Sequence, residues 1–557
     1  MEIITADQAA RLIADRWTIA SAGFVGAGHA EAVTEAIERR YLAEAAPKDL
    51  TLVYSAGQGD RARRGVNHFG HPGLTRRIIG GHWRSAPMLS RLALDEQAEA
   101  YNFPQGVITH LYRAIAAGTP GVITRIGLNT FIDPRHAGGG LNARSTAPLV
   151  DLIEIGGEPF LRYRPFPIDC ALVRGTTADA RGNISCEEEP FHHELLAIAQ
   201  AARNSGGIVI AQVKRLIDRH DNAREVRLPG ILVDYLVVAG EHPEHHSMTF
   251  GEYLNPAYTG SATPPARPSA QPAGQADTTP DPAPLTARRI VQRRALLALL
   301  EARPQVVNLG VGMPAGVGAV AREEGVDQFV LTVEAGPIGG TPADGLSFGA
   351  SEYPEAIVDE PAQFDFYDGG GLDIALLGMA EFDRAGNVNV GVFGEGEGRS
   401  IAGVGGFINI TQATPELVFL GTLTAGGLEV GARDRRLTIV SEGRHRKMLE
   451  RVGQLCFNGR YAGELGTRVT YVTERAVFRL IEGRLVLTEI APGIDLEREV
   501  LALCPPGLAV ASDLTLMDER LFDPAPMGLA AQFPSTGASA RRNSSSLRAE
   551  RRARSAS

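Results

Sequence analysis

The chain has 557 residues and a net charge of −10, with 44% apolar and 22% charged residues. This length implies about two to four domains, and the composition suits a soluble globular protein with sizeable cores. No basic stripe crosses the folded segments, which excludes a nucleic-acid footprint over the main body, and no apolar run reaches the ~18 residues of a membrane helix. The start, Met1-Glu2-Ile3-Ile4-Thr5-Ala6-Asp7, lacks a charged-then-apolar signal pattern, so a cytoplasmic enzyme is expected. Cys170, Cys186, Cys456 and Cys504 lie far apart without metal-ligand spacing and are expected as free thiols.

In chain order, an early strand runs into Gly23-Phe24-Val25-Gly26-Ala27-Gly28-His29, and a helical pattern follows over residues 30–42. Leu52-Val53-Tyr54 reads as a strand ending in Ser55-Ala56-Gly57-Gln58-Gly59. Three histidine runs follow, around His68 and His71, at His82, and at His242, His245 and His246. Proline or glycine interrupts each, and none has helical His-x-x-x-His spacing, so structural or ligand-adjacent roles are expected and no metal site. Gln105 and Gly106, in Tyr101-Asn102-Phe103-Pro104-Gln105-Gly106, are candidates for a substrate pocket, although the Phe-Pro step also suits a plain surface turn. A second helical pattern spans residues 194–204.

Over residues 258–287 proline, alanine, threonine and glycine take over and hydrophobic periodicity disappears, as in an exposed linker. Beyond it come a helical pattern over 285–302, the cluster Asn308-Leu309-Gly310-Val311-Gly312-Met313-Pro314, and a β-rich run that opens onto Glu334-Ala335-Gly336-Pro337-Ile338-Gly339-Gly340. Further on stands Gly403-Val404-Gly405-Gly406-Phe407, and residues 535–557 form a serine- and arginine-rich tail that reads as a solvated extension.

The parts on either side of the linker repeat one plan. The cluster at Gly23 answers that at Gly310, and Leu52–Gly59 answers Leu331–Gly339. Asp179-Ala180-Arg181-Gly182-Asn183 answers Asp383-Arg384-Ala385-Gly386-Asn387, and Leu196–Ala201 answers Ile408–Ala413. Matches in one order imply an internal duplication. Strands alternating with helices imply an α/β fold: two duplicated open α/β domains with mainly parallel sheets, over residues 1–257 and 288–534, and a site between them.

The duplication isolates the chemistry, because Glu334 stands where the first half has Ser55. A carboxylate at a strand end can attack an activated acyl group, and amides of a glycine-rich turn can hold the resulting oxyanion. Gly336, Gly403, Gly405 and Gly406 are the candidate donors. A capping or salt-bridged surface carboxylate is the plain alternative for Glu334, and tight turns are the alternative for the glycines. Ser55 and Asn389 are candidates to orient Glu334, or else ordinary turn residues. A dinucleotide site fits poorly, since Gly316 and Gly318 miss the spacing of a third glycine after Gly310 and Gly312.

Glu-x-Gly-x-x-Gly followed by Gly-x-Gly-Gly-Phe resembles the family I coenzyme A transferases. Arg64-Gly65-Val66-Asn67-His68-Phe69, Ile78-Ile79-Gly80-Gly81-His82-Trp83, Phe364-Asp365-Phe366-Tyr367-Asp368-Gly369-Gly370 and Gly421-Thr422-Leu423-Thr424-Ala425-Gly426-Gly427 resemble its single-chain propionate/acetate branch, also described as the 3-oxoacid CoA-transferase family. The resemblance implies transfer of CoA from a short-chain acyl-CoA to a free carboxylate through a glutamyl-CoA thioester, with Glu334 as nucleophile, Ser55 and Asn389 as its orienting residues and Gly403, Gly405 and Gly406 near the thioester. It also implies a homo-oligomer, a dimer or tetramer, with no cofactor because CoA is itself the substrate. Acyl-CoA hydrolysis on the same scaffold and a non-catalytic CoA-binding protein are the competing readings. One departure is Pro337, which has no amide hydrogen to donate.

Overall fold

Apolar runs rich in valine, isoleucine and leucine pair into two large sheets in the computed structural model, which describes residues 1–264, 285–394 and 396–533. The linker expected over 258–287 falls mainly on residues 265–284, and these, like the tail over 535–557, lie outside the described residues.

The first sheet is built from β1 (Glu2–Ile3), β2 (Thr18–Ser21), β3 (Leu50–Tyr54), β4 (Thr75–Gly80), β5 (Glu99–Asn102), β6 (Cys170–Arg174), β7 (Ile208–Val213) and β8 (Tyr235–Val238). Their order across the sheet is β1-β8-β7-β6-β2-β3-β4-β5, and every neighbouring pair is parallel. A parallel sheet needs helical crossovers that cover it, which is why β3 and β6 are buried along their whole length. Helices α1 (Glu31–Glu44), α2 (Gln105–Ala116) and α3 (Leu195–Asn204) are among the covering elements, and the first and third match the helical periodicities of the sequence.

In the second sheet the strands are β9 (Val306–Leu309), β10 (Val330–Thr332), β11 (Pro337–Ile338), β12 (Ala356–Ile357), β13 (Ile374–Gly378), β14 (Glu416–Leu420), β15 (Arg468–Val472), β16 (Ala476–Ile481), β17 (Arg484–Ile490) and β18 (Ala509–Leu516). Their order is β12-β11-β10-β9-β13-β14-β15-β16-β17-β18. The run β10-β9-β13-β14-β15 is parallel, whereas β11, β12, β16 and β17 join by antiparallel pairing. Helices α4 (Ala287–Ala302), α5 (Gly316–Glu323), α6 (Glu360–Asp368) and α7 (Phe407–Ala413) flank it, and α4 coincides with the helical pattern read after the linker.

The repeat extends to hydrogen bonds. Asp179 Oδ1 accepts from the amides of Arg181 and Asn183, Asn183 Nδ2 donates to Asp179 Oδ2, and Asn183 Oδ1 accepts from Gly230. Asp383 does the same with Ala385 and Asn387, and Asn387 Oδ1 accepts from Gly459. One turn, made twice from Asp-x-x-Gly-Asn, is what an aspartate accepting its own downstream amides produces.

The halves share one core, in which Phe364, Tyr367 and Phe407 of the second pack with residues of the first. A smaller apolar cluster of Phe24, Ala56, Phe191, Ala335 and Phe348 closes the seam beside Glu334, with Phe24 edge-on to Phe191 and stacked with Phe348. Among the described residues no helix is long and apolar enough to cross a membrane, and all four cysteines are buried free thiols.

Candidate active site

Glu334 leaves the C-terminal end of β10, the end of a parallel strand at which α/β sheets present ligand sites. The chain then reverses at once. Val333 N donates to Pro337 O (2.9 Å) and Gly336 N donates to Val333 O (3.0 Å), so β11 returns as a hairpin. Gly336 has φ +121°, and a Cβ there would strike the Val358 carbonyl oxygen, so this turn requires glycine.

The second glycine cluster meets this carboxylate from α7. The Gly406 backbone faces the Glu334 carboxylate, and a Cβ on Gly406 would sit 2.8 Å from Glu334 Oε2 and 2.9 Å from Cδ. Burial raises the Glu334 pKa to about 7, against the opposing effect of that backbone. A carboxylate stripped of water is less stabilised as an anion, which suits a nucleophile working near neutral pH.

The first half comes in by backbone exchange with the same cluster. Trp83 N and Arg84 N donate to Ala402 O (2.7 and 3.1 Å), Gly405 N donates to Gly81 O (2.8 Å) and Gln105 N donates to Gly405 O (2.9 Å). Asn102 Oδ1 accepts from Val404 N at 3.0 Å while its Nδ2 donates to Gly80 O and Gly81 O, so one buried amide locks both strands of the seam. Gln105 and Gly106 open α2 directly against α6 and α7. Gln105 Nε2 donates to Glu360 Oε1 (2.9 Å), and Gly106 N donates to Asn409 Oδ1 (3.2 Å). The plain surface turn is thereby ruled out for this segment, since both residues are buried at the seam.

Several expected roles are corrected by these bonds. The amides of Gly336, Gly403 and Gly405 are spent on Val333 O, Gly391 O and Gly81 O, so of the four candidate donors only Gly406 faces Glu334 with its backbone. Gly403 and Gly405 act instead as the seam's backbone partners. Ser55 Oγ donates to Glu194 Oε1 at 2.6 Å and not to Glu334. Asn389 is fully buried with its own partners: Nδ2 donates to Glu381 Oε2 and Val392 O, and Oδ1 accepts from Gly391 N. It braces the loop that carries the second glycine cluster, because Gly391 O in turn accepts from Ala402 and Gly403.

Sequence reasoning missed Glu194 and Glu360. Both are buried, at 1% and 0% exposure, and they come together because Glu360 N donates to His193 O (3.0 Å). Asp-Glu-Pro before an apolar helix looks like an ordinary helix start, so no local signal marks Glu360. His82 faces Gly57 and Gly405, and burial, with Arg84 and Arg61 nearby, lowers its pKa to about 4. His68 and His71 hydrogen-bond to Glu31 and Glu38, His245 to Glu35 and His246 to Glu189. Among the described residues no group of three His, Cys, Asp or Glu side chains is arranged to hold a metal ion. A cavity of about 300 Å³ lies beside β10 and α5. Arg288, Arg322, Asp327, Asp344 and Glu355 are among the residues that line it, and Glu334 is not part of it.

The Coenzyme A transferase family profile matches residues 3–239. The chain is 43% identical to the caffeate CoA-transferase of Acetobacterium woodii over 524 residues, which span 94% of this chain and 97% of that one. It is 41% identical to the acetate CoA-transferase YdiF of Escherichia coli K12, spanning 94% and 96%. Its fold superposes on the acyl-CoA transferase YdiF of Escherichia coli O157:H7 with TM-score 0.86 and 40% identity for the apoenzyme, covering 95% and 97%, and with TM-score 0.86 and 39% identity for that enzyme's thioester complex with CoA. With both halves of the fold on one polypeptide and a glutamate at their seam, this chain belongs to the coenzyme A transferase family and is an acyl-CoA:carboxylate CoA-transferase.

Proposed function

We propose that the enzyme moves CoA between short-chain acyl groups of the acetate and propionate class by a ping-pong route through Glu334. A Glu334 oxygen adds to the acyl-CoA carbonyl; the C–S bond breaks and CoA leaves as its thiolate, giving a mixed anhydride. The thiolate then attacks the glutamyl Cδ, and the first carboxylate leaves with the anhydride C–O electrons, so the enzyme holds a glutamyl-CoA thioester. A second carboxylate reverses both steps and departs as the new acyl-CoA. No proton is transferred and one thioester is exchanged for another, so neither ATP nor a metal is required.

The observation that carries this reading is the Glu334 carboxylate at the seam of the two halves, desolvated and closely approached by the Gly406 backbone. One well-aimed amide is worth ~10²–10³ in rate when it stabilises an oxyanion. The thioester complex of the Escherichia coli relative supports the covalent step. We further place the enzyme in the cytoplasm, where CoA thioesters are made, and as a homo-oligomer. Exposed Ile123, Leu152 and Ile155 on one small antiparallel sheet offer apolar surface for self-association.

The test is peptide mass spectrometry after brief incubation with acetyl-CoA or propionyl-CoA and no acceptor. The expected result is a CoA adduct on the Glu334 peptide that added acetate discharges. Steady release of free CoA without an adduct would overturn the proposal in favour of hydrolysis.

A further inference from the structure

Near Glu334 lies a pair of carboxyls that the transfer steps above do not use. Glu194 comes from the start of α3 in the first half and Glu360 opens α6 in the second. Each is anchored on one oxygen: Ser55 Oγ donates to Glu194 Oε1 (2.6 Å), and Gln105 Nε2 donates to Glu360 Oε1 (2.9 Å). The other oxygens, Glu194 Oε2 and Glu360 Oε2, are buried and have no hydrogen-bond partner among the described residues. The backbone bond from Glu360 N to His193 O brings the two buried carboxyls together, and each perturbs the other. Two carboxylates are acceptors only, so this contact exists as a bond only if one of them carries a proton.

Resting on the glutamyl-thioester reading, we infer that Glu194 and Glu360 share a single proton across the seam and act as positioning residues, fixing the Gln105 side chain and limiting the negative charge beside Glu334. The chain Ser55–Glu194–Glu360–Gln105 then runs unbroken from β3 through both halves to the first turn of α2. Titratable groups facing the pair are Glu334, from the end of β10, and the Tyr112 hydroxyl of α2, which is buried without a partner. No cation is among them, so losing the shared proton sets one more uncompensated charge next to the nucleophile and repels the incoming carboxylate. Burial and the like charge of its partner hold the Glu360 proton well above the ordinary carboxylate range, and burial raises Glu194 as well; the pair titrates as a unit.

Glutamine distinguishes this role from packing. In Glu360→Gln or Glu194→Gln the new amide N–H takes the place of the shared proton and the chain of bonds survives. In the double variant, of the same volume, donor faces donor while Ser55 and Gln105 keep donating to the anchored oxygens, and the chain breaks. The double variant is expected to fall at least ~tenfold below either single one in kcat, the size of one buried hydrogen bond left unmade, with KM less affected. Wild-type kcat/KM should fall at alkaline pH, and each single variant should lose that fall. Infrared spectra of full-length enzyme labelled with 13C-glutamate should show a protonated glutamic acid carbonyl at pH 8 that each single variant lacks. Absence of that band in the wild type, or a double variant equal to the single ones, would overturn the inference. A band without any adduct on Glu334 would leave the shared proton standing and remove the thioester mechanism.

Discussion

The two halves start alike and part at one point. In the first, β2 lies between β3 and β6; in the second, β9 lies between β10 and β13, with the same parallel neighbours. After β3 the chain crosses over to the parallel strands β4 and β5, whereas after β10 it folds straight back into antiparallel β11 and β12. The difference is made at Ser55-Ala56-Gly57 against Glu334-Ala335-Gly336. The hairpin at Gly336 leaves Glu334 at the seam with the Gly406 backbone before it, while the crossover leaves Ser55 bonded to Glu194. A duplicated scaffold thus sets a desolvated carboxylate in one copy and a buried serine–glutamate bond in the other.

That division of labour can be broken most severely at Glu334. Glu334→Gln keeps the shape and removes the proposed nucleophile; transfer should drop by on the order of 10⁴-fold or more, and no CoA adduct should appear in mass spectra. Near-normal transfer would mean that the second half does not hold the reacting group. Gly406→Ala comes next. Its Cβ would crowd Glu334 Oε2 and Cδ, so kcat should fall ~10²-fold while the melting temperature changes little.

The pH dependence sharpens the comparison further. Because burial raises the Glu334 pKa to about 7, the carboxylate is protonated and inert below that value and ionised above it. Single-turnover adduct formation should therefore rise with pH through about 7 and lie roughly tenfold below its plateau at pH 6. An acid limb near pH 4 would show that the nucleophile is solvated. Ser55→Ala should lower kcat only several-fold, since it removes one donor from Glu194, and should move the alkaline limb upward because that hydroxyl favours the ionised form.

Asn389→Ala should have the smallest catalytic effect. It leaves buried partners at Glu381, Val392 and Gly391 and should cost about 1–3 kcal/mol of stability in denaturant melts, with transfer at 25 °C nearly retained. A large loss of kcat with unchanged stability would restore it as an orienting residue of Glu334.

Much of this was legible along the chain. Periodicity over 30–42, 194–204 and 285–302 placed α1, α3 and α4, and the paired Asp-x-x-Gly-Asn turns revealed the repeat, because helix periods and aspartate turns depend on residues a few positions apart. Glu334 stood out for the same local reason, a carboxylate between a strand and a glycine turn. The antiparallel return after Glu334 was not legible: Gly336-Pro337 marks a turn, but its direction depends on Val358 and β12 waiting to pair.

The sequence by itself determined the α/β halves, their duplication and the place of a strand-end glutamate, since strand and helix patterns and a carboxylate before a glycine turn are local properties. Only the tertiary structure decided which amides are free and which carboxyls meet. The Gly405 amide is lost to Gly81, more than three hundred positions away in the chain, and Glu194 reaches Glu360 only because a backbone bond from Glu360 to His193 closes the seam. A backbone group has one donor to give, and where it goes is settled by whichever distant acceptor the packed core brings within reach.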